Sequence, residues 1–332
     1  MNPPVFLQTG FRTGGTWLWS RFRECTETVA FCEPLNEALE SITQDAISGL
    51  TSMTSGLNHP TLDAPYFEEY RVFIDPERGG VRDYRVEFGL QTYFAAPEEQ
   101  PLDLTRYLSR LLEHAKERDK QPVLKFTRAL GRAEWLRQMF PAAKQILLIR
   151  DPWLQFQSGW TLAQRRQNFT FLMIPLFVLS RARSGSLHSL CDEIGIPHVP
   201  FSAGITKCAE TYTELAQQLS PKLLFGAFLG MFIASHFRST PFADLVIDYD
   251  VFERDVLYRA EIERSIANLT GLHVDLANHE ASRTSDGRAG AWLEEGGISD
   301  IVYSILEPDY ATSVDFARRS LSGNIDTHPQ PR

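Results

Sequence analysis

Residues 5–22, VFLQTGFRTGGTWLWSRF, constrain the fold more than any other stretch of the chain. A short β-rich run, Val5–Thr9, ends at Gly10, a glycine-rich loop follows, and an amphipathic helical pattern begins near Thr16. Such a turn points backbone N–H groups and the positive end of a helix dipole at one spot, an arrangement that holds phosphate or sulfate. Gly10 to Gly15 has the G-x-x-x-x-G spacing of a Walker A loop, but Thr16 stands where a nucleotide triphosphatase places its lysine. The Lys-Ser/Thr pair for β/γ-phosphate and Mg²⁺ is therefore missing, and Arg12 inside the loop is the cation at hand. Taken alone, the stretch reads as an anion site or as a plain glycine-rich turn between strand and helix.

Four further β-rich segments follow: Val29–Cys32, Val123–Phe126, Gln145–Ile149 and Leu245–Tyr249. Their continuous apolar runs suit a parallel sheet buried on both faces. Helical patterns cover Trp17–Glu24, Asp103–Asp119, Arg132–Phe140, Trp153–Gln167 and Val251–Thr270. The βαβα order predicts a doubly wound α/β fold with a mainly parallel sheet of about five strands, ligands sitting at the strands' carboxyl ends. Residues 41–102 and 168–242 interrupt the pattern and read as helical excursions over the strand ends, where an acceptor would be selected. No boundary between separate domains is visible, so residues 1–323 are taken as one domain and 324–332 as a frayed tail.

Charge and cysteine usage narrow the partners. With 42 acidic against 33 basic residues the net charge is −9, which argues against general affinity for nucleic acid but not against a local anion pocket. The four cysteines (Cys25, Cys32, Cys191, Cys208) are too few and scattered for a disulfide scaffold, and no Cys/His cluster suggests zinc. A reduced, cytoplasmic compartment is the simplest expectation. The opening MNPPVFLQTGFRTGG has no basic leader, so no secretory signal is expected. The apolar stretches 169–179 and 223–237 fall short of the ~20 residues that span a bilayer and read as buried helix, acceptor-site wall or homo-oligomer contact.

A second cluster is QILLIRDPWLQFQSGW, residues 145–160. A strand ending at Arg150 aims a cation into the ligand crevice, and Ser158, two turns along the next helix, can face the same anion. Taken alone, Arg150 reads more readily as a partner of Asp151 or of a surface acid, and Ser158 as an ordinary helix residue. Together with the first loop the combination becomes recognisable. Gly10 to Trp17 resembles the 5′-phosphosulfate-binding loop of sulfotransferases that use 3′-phosphoadenosine-5′-phosphosulfate (PAPS). Ile149-Arg150-Asp151-Pro152 with Ser158 is similar to that family's 3′-phosphate-binding segment. Val123–Phe126 and Asp244–Tyr249 resemble its central and later strands. The resemblance covers the α/β core, about half the chain.

It implies that Arg12, Thr13, Gly14, Gly15, Thr16 and Trp17 surround the phosphosulfate, while Arg150 and Ser158 hold the 3′-phosphate. Residues 282–292 look like a degraded form of the family's late glycine-rich loop, in which Arg283 or Arg288 would add to the 3′-phosphate site; an ordinary polar surface loop is an equal reading.

Sulfuryl transfer is an in-line displacement that needs positioning, a cation and a base. Arg12 is the candidate cation and Lys125, at a strand end, a second; a lysine reaching solvent is the alternative for Lys125. The histidine that cytosolic family members carry after the central strand is absent from Lys125-Phe-Thr-Arg128. Phe31-Cys-Glu-Pro-Leu-Asn36 instead resembles the Glu-Pro segment of the glutamate-base branches, which makes Glu33 the candidate base. Burial near Phe31 and Leu35 would raise its pKa, and Arg12 would oppose that. The competing reading is an ion pair between Glu33 and a loop arginine. His236 ranks as a packing residue ahead of an acceptor-pocket one, with His188 and His198 lower. No metal is expected.

The function expected is PAPS-dependent sulfuryl transfer to a hydroxyl or amine of a small-molecule, carbohydrate, lipid or peptide acceptor. The alternatives are a P-loop kinase or nucleotide hydrolase, and a non-catalytic nucleotide-binding protein on the same fold. Aromatics at 66–70, 84–94 and 169–177 read equally as acceptor-pocket wall or as core and dimer contacts.

Overall fold

The computed structural model describes residues 2–53, 62–182, 185–277 and 297–321. Five strands form one parallel sheet: β1 (Val5–Thr9), β2 (Thr28–Cys32), β3 (Gln121–Phe126), β4 (Lys144–Ile149) and β5 (Leu245–Asp248), in the order β2-β3-β1-β4-β5. The helices are α1 (Gly15–Arg23), α2 (Gln44–Met53), α3 (Leu102–Lys116), α4 (Ala133–Met139), α5 (Pro152–Arg166), α6 (Thr170–Arg181), α7 (Gly185–Ile194), α8 (Ile205–Gln218), α9 (Pro221–Ser239), α10 (Tyr249–Arg254), α11 (Val256–Thr270) and α12 (Ile298–Leu321). The described residues group into two compact units: 2–53, 62–89, 96–149 and 242–277 in the first, 90–95, 150–182, 185–241 and 297–321 in the second.

The first unit holds the sheet, and side-chain alternation along each strand gives it two buried faces. Phe6, Phe31, Leu124 and Phe126 pack on one face with Leu104, Leu108 and Leu111 of α3 and Leu136 of α4. Val5, Leu7, Ala30, Cys32, Val123 and Ile247 pack on the other with Leu18, Trp19 and Phe22 of α1 and Ile262 and Ile266 of α11. Helices on both faces make the sheet doubly wound, as the strand and helix order predicts.

Within residues 41–102, Phe67, Tyr70, Phe73, Tyr84 and Phe88 join the cluster on the α3 face, held in irregular and 3-10 segments, so of the two readings left open for these aromatics they take the core one. One expectation needs correction. The helix expected over Val251–Thr270 is two, because Asp255 adopts extended φ/ψ (−116°, 111°) and its carboxylate accepts from the N–H groups of Leu257 and Tyr258. That is an N-cap, and it ends α10 and starts α11.

The second unit is helical. α9 packs on α12, α6 and α7, and α6 on α8. Phe171–Leu179 are buried throughout, so the aromatics of this stretch are core. The apolar helix is longer than its run suggests: residues 221–242 are long and apolar enough to cross a membrane, but 67% of the relevant window is buried within the fold.

Candidate functional site

The loop after β1 is fixed by its own short-range bonds. Thr13 Oγ1 donates to the Gly10 carbonyl at 2.8 Å, and the Gly14 carbonyl accepts from Trp17 N (3.0 Å) and Leu18 N (3.2 Å). Arg12 (φ 65°) and Gly14 (φ 80°) are both left-handed. Glycine is required at two places. A Cβ on Gly14 would lie 2.3 Å from the Tyr249 ring, and one on Gly15 would lie 2.5 Å from the Thr9 side chain. Gly14 is the N-cap of α1 and no side chain caps the helix, whose first turn carries no acidic residue. The N–H groups that open a helix have no intrahelical acceptor, so this start presents donors and a positive dipole end together. Trp17 packs beside the loop on Phe252, with ring centroids 5.4 Å apart.

The acid–base cluster stands at the carboxyl ends of β2 and β3. Because these strands are neighbours, Cys32 lies opposite Lys125, and Glu33 N donates to the Lys125 carbonyl at 2.8 Å. Glu33 then turns with φ 51°, a left-handed backbone uncommon outside glycine. Its Oε1 accepts from Lys125 Nζ. Its Oε2 accepts from Thr127 N (3.1 Å), Thr127 Oγ1 (2.7 Å) and Arg128 Nη1 (3.3 Å). Arg128 Nε also bonds Glu37, and its guanidinium lies over the Phe11 ring of the loop at 5.5 Å.

Burial pushes the Glu33 carboxyl up, but Lys125, then Arg128, and the bonds from Lys125 and Thr127 outweigh it, so its pKa lies below the ordinary value. The upward shift towards working pH considered from the sequence does not occur. The ion pair does form, with Lys125 and Arg128 in place of a loop arginine. Lys125 is only 3% exposed, so it is not a solvent-reaching strand end. The Cys32 thiol beside this pair is pushed up to about 12, chiefly by burial, and stays protonated.

Of the residues expected at the site, Arg12, Thr13, Gly14, Gly15, Thr16, Trp17, Glu33 and Lys125 all belong to the first unit. Arg150 directly follows β4 and opens the second unit, in which Ser158 sits two turns along α5. Arg150 offers its carbonyl to Gln155 Nε2 at 2.8 Å, and the Asp151 carboxylate caps α5 through Leu154 N at 2.9 Å. Arg288, Arg283 and the 282–292 segment lie outside the described residues. His236 stacks on Phe316 of α12 with centroids 4.3 Å apart, a packing role within the second unit. Among the described residues no group of three or more His, Cys, Asp or Glu is placed to hold a metal ion.

Arg128, Thr127, Glu37 and Tyr249 escaped sequence reasoning. The Lys125-Phe-Thr-Arg128 run was visible, but only the β2–β3 adjacency shows that Glu33 is what it faces.

No family model matches the chain, and no curated protein matches it. Among solved structures, a sulfotransferase domain of the Synechococcus PCC 7002 olefin synthase is similar at 12% identity and a TM-score of 0.37, over 98% of this chain and 96% of that one. A sulfotransferase from Alicyclobacillus acidocaldarius is similar at 15% identity and a TM-score of 0.36, over 98% of this chain and 100% of that one. Likenesses this distant do not decide an activity, which has to be read from the chain's own residues.

Proposed function

We propose that the chain is a PAPS-dependent sulfotransferase that moves a sulfuryl group to a hydroxyl or amine. The observation that carries the reading is the pairing of an uncapped, glycine-rich helix start with a buried Glu33–Lys125 pair, one at the end of β1 and the other at the ends of β2 and β3. PAPS, when bound, supplies an activated sulfuryl group with a stable bisphosphate leaving group. The residues present suit it: main-chain donors at Gly14–Thr16 and the dipole of α1 hold an anion without needing the missing Walker lysine. Arg12 and Lys125 supply positive charge where negative charge builds up during transfer.

Glu33 is the proposed base. Of its two oxygens, Oε2 already accepts three bonds and Oε1 accepts one, so Oε1 keeps a lone pair for the acceptor proton. A carboxylate held below its usual range is ionised at neutral pH but weakly basic. Negative charge entering the loop raises its proton affinity at the moment it is needed. The left-handed backbone at both Arg12 and Glu33 is the kind of local strain that clusters at functional sites.

The four donors on Glu33 favour a second reading, in which it anchors Lys125 and Thr127 and another group takes the proton. Transfer of labelled sulfate from PAPS to a panel of a phenol, a sugar, a lipid headgroup and a tyrosine peptide separates the two. Glu33→Gln is expected to abolish transfer while keeping stabilisation by the bisphosphate product; turnover that survives makes Glu33 the anchor. A small-molecule, carbohydrate, lipid or peptide acceptor and a cytoplasmic location remain part of this proposal.

A further inference from the structure

Arg128 is shared between two carboxylates, and unequally. Its Nε donates to Glu37 Oε2 at 2.9 Å and Oε1 at 3.2 Å, whereas its Nη1 reaches Glu33 Oε2 only at 3.3 Å, beside Thr127 Oγ1 at 3.2 Å. Short charge-assisted hydrogen bonds are the strong ones, so more of the guanidinium's charge goes to Glu37 than to Glu33. Glu37 is itself held in place. It opens a 3-10 turn capped by Asn36, and its carboxylate lies so close to the Gly89 backbone that a Cβ on Gly89 would come within 2.3 Å of Oε1. Arg128 is 8% exposed and already within hydrogen-bond reach of both carboxylates.

We propose that Glu37 holds Arg128 back from Glu33, so that the Glu37–Arg128 pair is a positioning device that sets the proton affinity of the Glu33 carboxylate. The inference rests on reading Glu33 as the base. Full closure of Arg128 on Glu33 would add a second strong cation contact to that of Lys125 and leave a carboxylate too weak to accept the acceptor's proton. Loss of Arg128 would leave Lys125 as the one cation hydrogen-bonded to Glu33 among the described residues, and Glu33 would become more basic. The other groups that face Glu33 are Lys125 on β3, Thr127 after it, the Cys32 thiol on β2 and the Tyr70 phenol, whose hydroxyl donates to the Cys32 carbonyl. Tyr84 faces Arg128 and Glu37. All of these are kept when Glu37 or Arg128 is replaced.

The test is a pH titration of carboxyl-¹³C-glutamate-labelled protein, with the Glu33 signal assigned by its loss in Glu33→Gln. Glu37→Gln is expected to move the Glu33 midpoint to lower pH and Arg128→Gln to higher pH. Glu37→Asp keeps the charge but shortens the reach, releasing Arg128, and is expected to lower the midpoint as well. That variant reads position apart from charge and is the mildest change to the fold. A Glu33 midpoint unmoved in Glu37→Asp, or moved in the same direction by Glu37→Gln and Arg128→Gln, overturns the proposal. In turnover with PAPS, the acid limb of the kcat/KM profile is expected to follow the midpoint. The titration needs no sulfuryl donor, so the two readings fail separately. A midpoint that moves without any transfer sinks only the sulfotransferase reading, and transfer with an unmoved midpoint sinks only this one.

Discussion

Glu33 and Lys125 form a buried pair whose value lies in its completeness. Removing one partner of a buried ion pair strands the other charge and typically costs about 3–5 kcal/mol, whereas replacing both is often tolerated. Lys125→Met is therefore expected to destabilise the protein by about that amount in urea unfolding, less any relief from Arg128. Glu33→Gln combined with Lys125→Met is expected to recover much of the loss; simple additivity of the single changes would show that the pair is not coupled. Because the Glu33 pKa is depressed, its contribution is present above the unfolded-state value and disappears as pH falls through the folded one. Glu69 behaves oppositely. Burial outweighs its bond to Arg23 (2.7 Å) and pushes its carboxyl up to about 7. Between the ordinary glutamate value and about 7 the folded protein binds the extra proton, so stability falls as pH rises across that window. Glu69→Gln is expected to flatten that decline when unfolding is followed as a function of pH. An unaltered slope would mean that Glu69 does not titrate there.

At the level of elements, the loop and α1 act as one piece. Gly14→Ala forces an alanine into φ 80° and drives its Cβ into Tyr249. The left-handed conformation alone costs about 1–2 kcal/mol. Stabilisation by 3′-phosphoadenosine 5′-phosphate (PAP) is expected to be lost with it, as a thermal-shift measurement would show. Asp255→Ala removes the cap that starts α11 and is expected to cost about 1 kcal/mol in urea unfolding. The five strands were legible to within two residues because strands buried on both faces must be runs such as Ile146–Ile149, bounded by polar or turn residues. The Asp255 break was not, because α10 and α11 share a continuous helical pattern and only the cap geometry separates them. The sequence left Tyr70 and Phe88 between core and pocket wall because 3-10 and irregular segments leave no periodic trace. The partner of Glu33 was hidden for a topological reason. Sheet order places β3 between β2 and β1, and residues 92 apart in sequence meet there.

Across the whole molecule, a net charge of −9 is compatible with a site for a small polyanion, because main-chain donors and a helix dipole carry part of the load. The glycine-rich loop was readable as a candidate anion site from its spacing, whereas the buried Glu33–Lys125–Arg128 network on which the proposed chemistry rests needed the fold. The sheet-bearing unit contains both, and the helical unit contains Arg150, Ser158 and the long apolar helix α9. On the proposed function, the loop selects a bisphosphorylated adenosine over a triphosphate with Mg²⁺. Thermal unfolding with PAP, ADP and ATP-Mg tests it directly. A ligand that binds only the folded state adds about 2.7 kcal/mol at a hundredfold excess over its Kd. Tm is expected to rise with PAP and to change little with ATP-Mg. A larger rise with ATP-Mg than with PAP would overturn the sulfotransferase reading.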